Sequence, residues 1–183
     1  MLNRLRLPIL FVLLLLVGCR AGGPATPART VAAFFNKYDN RSGFHTTEWS
    51  ADLLQRLALV RAAKLLDSKL GAAITGIRSA RVITFTPTSG SARDLARQGL
   101  RDEANGILQN EKYQPLSTSG FGGSSYQIST RGSGDNVSEF AALGSLPEEA
   151  DSFVLVDVKG NFTREQVEAL SKYLPQIVSA TGK

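Results

Sequence analysis

Between Tyr126 and Lys159 the chain passes through three short stretches of strand character with little between them. These are Tyr126–Arg131 (YQISTR), Val137–Leu143 (VSEFAAL) and Ser152–Lys159 (SFVLVDVK), and the RGSGDN and GSLPEEAD segments supply the turns. Short strands linked by tight turns point to an antiparallel meander. In the third strand Val154, Val156 and Val158 face opposite to Phe153, Leu155 and Asp157, and the valine side is the better core candidate.

The rest of the chain supplies helices and two more strands. Thr30–Tyr38 (TVAAFFNKY) reads as a short helix burying Val31, Phe34, Phe35 and Tyr38. Phe44–Ser50 (FHTTEWS) is aromatic and β-branched, hence a strand. Ser50 can cap a helix running to about Leu70, with Leu53, Leu57, Val60, Leu65, Leu66 and Leu70 on one broad face and Gly71 as its stop. Ile77–Phe85 (IRSARVITF) is the next strand, broken by Pro87, Ser89 and Gly90. A helix from about Ala92 to Asn110 sets Leu100, Ala104, Ile107 and Leu108 on one side. Tyr113–Leu116 reads as a short strand and Ser117–Ser125 as a loop. Thr163-Arg164-Glu165-Gln166 is a capping box, with Phe162 and Val167 as its hydrophobic staple. Val167, Leu170, Leu174 and Ile177 pack inward from that helix, and Pro175 ends or kinks it near Leu174. The expected class is α+β: a mixed or antiparallel sheet with a C-terminal strand meander and helices packed on one face.

The N-terminus belongs to something else. Arg4 and Arg6 precede an apolar run from Leu7 to Val17, broken only by Pro8. The run is well short of the ~20 residues that cross a bilayer, and its flanks are those of a secretory signal. It closes on Leu16-Val17-Gly18-Cys19, which resembles the bacterial lipoprotein lipobox at each position. The resemblance implies cleavage between Gly18 and Cys19 and diacylglyceryl attachment to the Cys19 thiol, with acylation by palmitate-type chains. Two or three chains anchor stably where one anchors marginally. The segments are then a signal peptide (1–18), a lipidated tether (19–30) rich in Gly, Pro, Ala and Thr, and one α+β domain (31–183). Arg20 follows the lipidated position, where an Asp would retain the protein at the inner membrane, so sorting favours the outer membrane facing the periplasm.

Composition narrows function by exclusion. The chain has 21 Lys and Arg against 16 Asp and Glu, and loss of Arg4 and Arg6 with the signal leaves a mild net charge of +3. The charges are scattered without a basic stripe, so no nucleic-acid partner is implied. Cys19 is the only cysteine. The domain therefore has no disulfide, and its stability rests on a packed core.

A family resemblance rests on particular stretches. They are Phe35, Tyr38, Phe44 and Ser50 before a Leu-rich helix, Gly76-Ile77 entering a strand, Val137-Ser138-Glu139-Phe140, and the strand Phe153–Lys159 running through Gly160-Asn161-Phe162 into the capped helix. Together these resemble the lipoproteins of domain of unknown function 4252 over roughly residues 30 to 180. The resemblance implies an exported, usually lipid-anchored α+β domain and no catalytic set.

Chemistry-bearing residues are sparse. His45 is the only histidine, it lies on a strand, and no Gly-x-Ser-x-Gly elbow accompanies it. One histidine and a lipidated cysteine do not make a zinc site. Gly120-Phe121-Gly122-Gly123 lacks the Gly-Lys-Ser/Thr of a phosphate loop; it reads first as a mobile hairpin or crossover loop, and its sharper reading is an aromatic arm, Phe121, that contacts a partner. Asp135-Asn136 reads as a turn, and Glu148-Glu149-Ala150-Asp151 as solvated acids. Asn40, Asn136 and Asn161 head Asn-x-Ser/Thr triplets that carry no meaning in a bacterial host. The expectation is a non-enzymatic envelope protein with no cofactor, no metal and no catalytic residue. It would meet the membrane through Cys19 and bind an envelope protein or a small ligand. The alternatives are a hydrolase or transferase using His45 and acids, and a regulatory partner in envelope signalling.

Overall fold

The computed structural model describes residues 26–50, 68–121, 124–146, 149, 151–175 and 178. In chain order the elements are α1 (Val31–Tyr38), β1 (Phe44–Ser50), α2 (Ser68–Thr75), β2 (Ile77–Phe85), α3 (Gly90–Arg97), α4 (Leu100–Asn110), β3 (Gln114–Phe121), β4 (Ser124–Ser133), β5 (Asn136–Gly144), β6 (Phe153–Thr163) and α5 (Arg164–Ser171). Six antiparallel strands form one sheet in the order β1-β2-β6-β5-β4-β3. The α+β class and the C-terminal meander are as the sequence implies. Strands β3 to β6 are joined in succession, and β6 returns to pair with β2.

The helices do not share one face. Val82, Val154, Val156, Val158, Phe140 and Ala142 pack with Leu70 and Ala73 of α2 and Val167 and Leu170 of α5. On the other side Ile83, Phe85, Ala141, Leu143, Phe153 and Leu155 pack with Val31, Phe34, Phe35 and Tyr38 of α1, Ala92 of α3, and Leu100, Ala104, Ile107 and Leu108 of α4. The sheet is a middle layer buried from both sides. Alternate residues of an extended strand point oppositely, so the valine side and the Phe153/Leu155 side of β6 are both core.

Four other expectations are corrected. The helix expected to stop at Gly71 continues to Thr75; its start and the leucines before Leu70 lie outside the described residues. The helix expected over Ala92–Asn110 is two helices, α3 capped by Ser89 and α4 entered through Gly99. Gly99 has φ +91, a left-handed conformation that glycine adopts without a Cβ penalty, and it breaks the run. The loop expected over Ser117–Ser125 is mostly sheet, because Ser117 through Phe121 pair with Ile128 through Ser124 across the β3–β4 hairpin. Helix α5 ends at Ser171, before Pro175, while Ile177 lies outside the described residues. Its capping box forms: the Gln166 N–H donates to Thr163 Oγ1 (3.2 Å) and the Thr163 N–H to Gln166 Oε1 (2.8 Å).

Two glycines let α2 and β6 meet. The Asn161 N–H donates to the Gly76 carbonyl at 3.0 Å. A Cβ on Gly160 would collide with that same carbonyl and with the Phe162 ring. The Gly160 that ends the apolar run is thus required by a close backbone approach.

Candidate functional site

The unusual chemistry of the domain lies inside the α1/α4 side of the sheet. Arg81 on β2 stands opposite Asp157 on β6, and Asp157 stands opposite Ala141 on β5. One rung along, Lys159 stands opposite Glu139, and Glu139 opposite Arg131 on β4. Asp157 and Glu139 are therefore diagonal neighbours on one face, within reach of each other's side chains. Arg81 donates from Nη2 (2.7 Å) and Nε (3.3 Å) to Asp157 Oδ2. Arg131 donates through Nη2 to Glu139 Oε2 and through Nη1 to Glu111 Oε1 (3.3 Å). Lys159 Nζ lies 3.4 Å from Glu139 Oε1. The Arg81 guanidinium lies 4.5 Å from the centre of the Phe35 ring on α1, and that of Arg131 lies 5.4 Å from the Tyr113 ring.

Burial makes this row costly and so informative. Asp157 is 1% exposed and Glu139 4%. Isolated carboxylates at such sites are expensive, and the guanidiniums supply the compensation. Burial presses the Asp157 carboxyl up, Arg81 opposes it, and the neighbouring Glu139 adds to the rise, leaving it at about 6. Burial also disfavours the Glu139 charge, but its contacts with Asp157, Tyr113, Lys159 and Arg131 outweigh that and hold it below the usual carboxylate range. The Tyr113 phenol is pushed up by burial and then by both carboxylates. Asp157 Oδ1 and Tyr113 Oη are buried without a hydrogen-bond partner.

A second set of contacts ties the chain's entry to α4. Glu103 accepts from the Ala28 N–H (2.6 Å), from Lys37 Nζ (2.8 Å) and from Tyr38 Oη (2.7 Å). Burial works against its charge, but Lys37, the Ala28 N–H and Tyr38 prevail and lower its pKa. Glu111 Oε2 accepts the Val31 N–H at 2.6 Å. A carboxylate of α4 and the one just after it thus hold the residues just before and at the start of α1.

A family model described as domain of unknown function 4252 matches residues 38–170. The chain belongs to the DUF4252 family. No curated protein and no solved structure matches it.

Within this DUF4252 domain the residues singled out by sequence do not converge. Cys19 lies outside the described residues. His45 is exposed on the edge strand β1, and its Nε2 stands 3.4 Å from Thr47 Oγ1. Phe121 ends β3, and Gly122 and Gly123 lie outside the described residues. Asp135 follows Gly134 (φ +61) in the tight turn between β4 and β5, and Asn136 begins β5. Asn40 has φ +59 in the turn after α1. Glu149 and Asp151 are exposed, while Glu148 and Ala150 lie outside the described residues. Asn161 lies at the Gly76 contact and two residues before the Thr163 cap.

Among the described residues no group of three or more His, Cys, Asp or Glu could hold a metal ion, and no helix is long and apolar enough to cross a membrane. A surface pocket of about 230 Å³ is lined by Ala96, Arg97, Leu100, Arg101, Asp151, Ser152 and Phe153. That is below the ~300–1,000 Å³ of ordinary ligand sites. Arg97 pairs with Asp94, and Arg101 donates to Ser145.

Sequence reading passed over Arg81, Glu139 and Arg131, and took Asp157 only as a member of the less apolar side. The available signal was a charged residue at an inward position in each of four paired strands.

Proposed function

We propose that the protein is a lipid-anchored envelope protein whose DUF4252 domain is a non-enzymatic binding module. The observation that carries the reading is Leu16-Val17-Gly18-Cys19 closing a short apolar run behind Arg4 and Arg6. The domain's entry supports it. Lys37 Nζ donates to the Thr26 carbonyl, and Ala28 and Val31 are held by Glu103 and Glu111, so only six residues separate Cys19 from the first backbone contact among the described residues. That stretch of chain reaches at most about 25 Å, which keeps the domain beside its membrane. Arg20 after Cys19 favours the outer membrane, with the domain in the periplasm. The exposure of His45 on β1, with its Nε2 3.4 Å from Thr47 Oγ1, supports binding over acid–base catalysis.

Labelled palmitate tests the anchor. The wild type should incorporate it and Cys19→Ser should not; equal labelling of both would end the lipoprotein reading. Crosslinking in intact cells tests the module. His45→Ala should leave the crosslinked partner unchanged, and loss of a measurable hydrolase or transferase activity in that variant, with folding retained, would favour an enzyme.

A further inference from the structure

The contacts that begin at Asp157 do not end in the sheet. Asp157 Oδ2 is occupied by Arg81, while Oδ1 is buried and lacks a donor. Glu139, its diagonal neighbour, is held by Arg131 and Lys159. Arg131 reaches on to Glu111, whose other oxygen accepts the Val31 N–H at the start of α1. The groups around the pair are Arg81 on β2, Lys159 on β6, Arg131 on β4, and Glu111 and Tyr113 after α4. From α1 the Phe35 ring covers Arg81, and on β1 the exposed Glu48 stands opposite Arg81.

Two ionised carboxylates cannot donate to each other. Placed side by side away from water, they repel. A single proton on Asp157 Oδ1 removes both difficulties, because the orphan oxygen becomes a donor and Glu139 its acceptor. We propose that Asp157 and Glu139 hold one proton between them and form an acid-responsive latch, whose state sets how firmly the start of α1 is held through Arg131 and Glu111. With the proton present, Glu139 keeps its charge for Arg131 and the row is closed from β2 to α1. When the proton leaves for solvent, two like charges face each other, and Glu139 moves off Asp157 and strains its link to Arg131. The pair titrates as a unit. The raised pKa of Asp157 agrees with closure in mild acid and opening above it.

The test uses the full chain. Carboxyl-carbon NMR from about pH 4 to about pH 8 follows Asp157 and Glu139, and hydrogen exchange, corrected for intrinsic rate, follows the α1 amides. The Asp157 carboxyl should report a step near 6 that the Glu139 carbon senses as its neighbour ionises, and α1 should exchange about tenfold more slowly on its acid side, the change equivalent to one pKa unit. Asp157→Asn should hold α1 in its acid state throughout, since the amide can donate to Glu139. Glu139→Gln should lower the Asp157 midpoint and abolish the α1 response. An Asp157 ionised across the whole range, a midpoint indifferent to Glu139→Gln, or α1 exchange indifferent to pH would overturn the proposal. The wild-type titration and Glu139→Gln decide the matter even where Asp157→Asn does not fold.

Discussion

The two faces of the sheet use the same strands and solve different problems. On the α2/α5 face, β6 presents Val154, Val156 and Val158, and the buried strand neighbours are apolar or carry no more than a hydroxyl, as Tyr126, Thr84 and Thr130 do. On the α1/α4 face the same strand presents Phe153 and Leu155, then Asp157 and Lys159, and the apolar packing gives way to a row of opposed charges. Asp157 is as deeply buried as Val156 beside it, each being 1% exposed. Depth alone therefore does not decide what a position tolerates. What decides it is whether the facing strands supply a counter-charge.

The sharpest way to break the comparison is to move the charge by one residue. Val156→Asp would place a carboxylate on the face where Val82 and Ala142 stand on either side in the register. With Val82 and Ala142, and no cation, as its strand neighbours among the described residues, the cost should exceed about 4 kcal/mol, and the variant should lose cooperative unfolding by circular dichroism. A folded Val156→Asp with near wild-type stability would show that the two faces differ less than their composition states.

Next in size is removal of the counter-charge. Arg81→Met keeps the apolar stem over Phe35 but strands Asp157. At alkaline pH it should cost about 3–5 kcal/mol in urea unfolding, the usual penalty for breaking a buried pair. The cost should shrink in acid, where Asp157 is neutral. The wild type carries the same sign. Asp157 has a folded pKa raised to about 6. Its contribution is fully present below the unfolded value and is lost as pH rises through the folded one, by up to about 3 kcal/mol. Glu139 and Glu103, both lowered, act oppositely and withdraw stability only as pH falls below the ordinary carboxylate range. On these groups' account, urea midpoints should decline from about pH 5 to about pH 7. A midpoint that rises across that interval would contradict the assignment of Asp157.

How much of this was legible depended on whether the signal was local. Helix α1, strands β1 and β2, and the Thr163 box were readable because spacing and caps belong to a few consecutive residues. The break at Gly99 was not, because charged and apolar residues on both sides continue one helical pattern and only the left-handed glycine interrupts it. The length of the β3–β4 strands was missed because a Ser/Gly-rich stretch has loop composition, and pairing from Gln114 to Phe121 overrides it. The two-sided core was legible in principle. Phe153–Val156 is apolar at every position, which a strand with one wet face would not be. The charged row was hardest to see, because its members are distant in sequence and acquire meaning only through register. Arg81 is 76 residues from Asp157.

The smallest effects separate the two helix layers. Thr30 caps α1 on the charged side and Thr163 caps α5 on the apolar side, each accepting an N–H from the third helical residue at 3.1 and 3.2 Å. Either threonine changed to alanine should cost ~1 kcal/mol. The first turn of α1 has a further hold, the Glu111 carboxylate on the Val31 N–H, whereas α5 relies on its own Gln166. Loss of Thr30 should therefore be the smaller effect while Glu111 is present. Combining Thr30→Ala with Glu111→Gln should reveal a coupling of about 0.5 kcal/mol or more, because both groups serve one turn. Combining Thr163→Ala with Glu111→Gln should add within about 0.3–0.5 kcal/mol, because α5 packs on the opposite face of the sheet from α1 and α4. Equal coupling in both double variants would mean that Glu111 stabilises the domain as a whole. Coupling confined to Thr30 would place the end of the charged row at the start of α1.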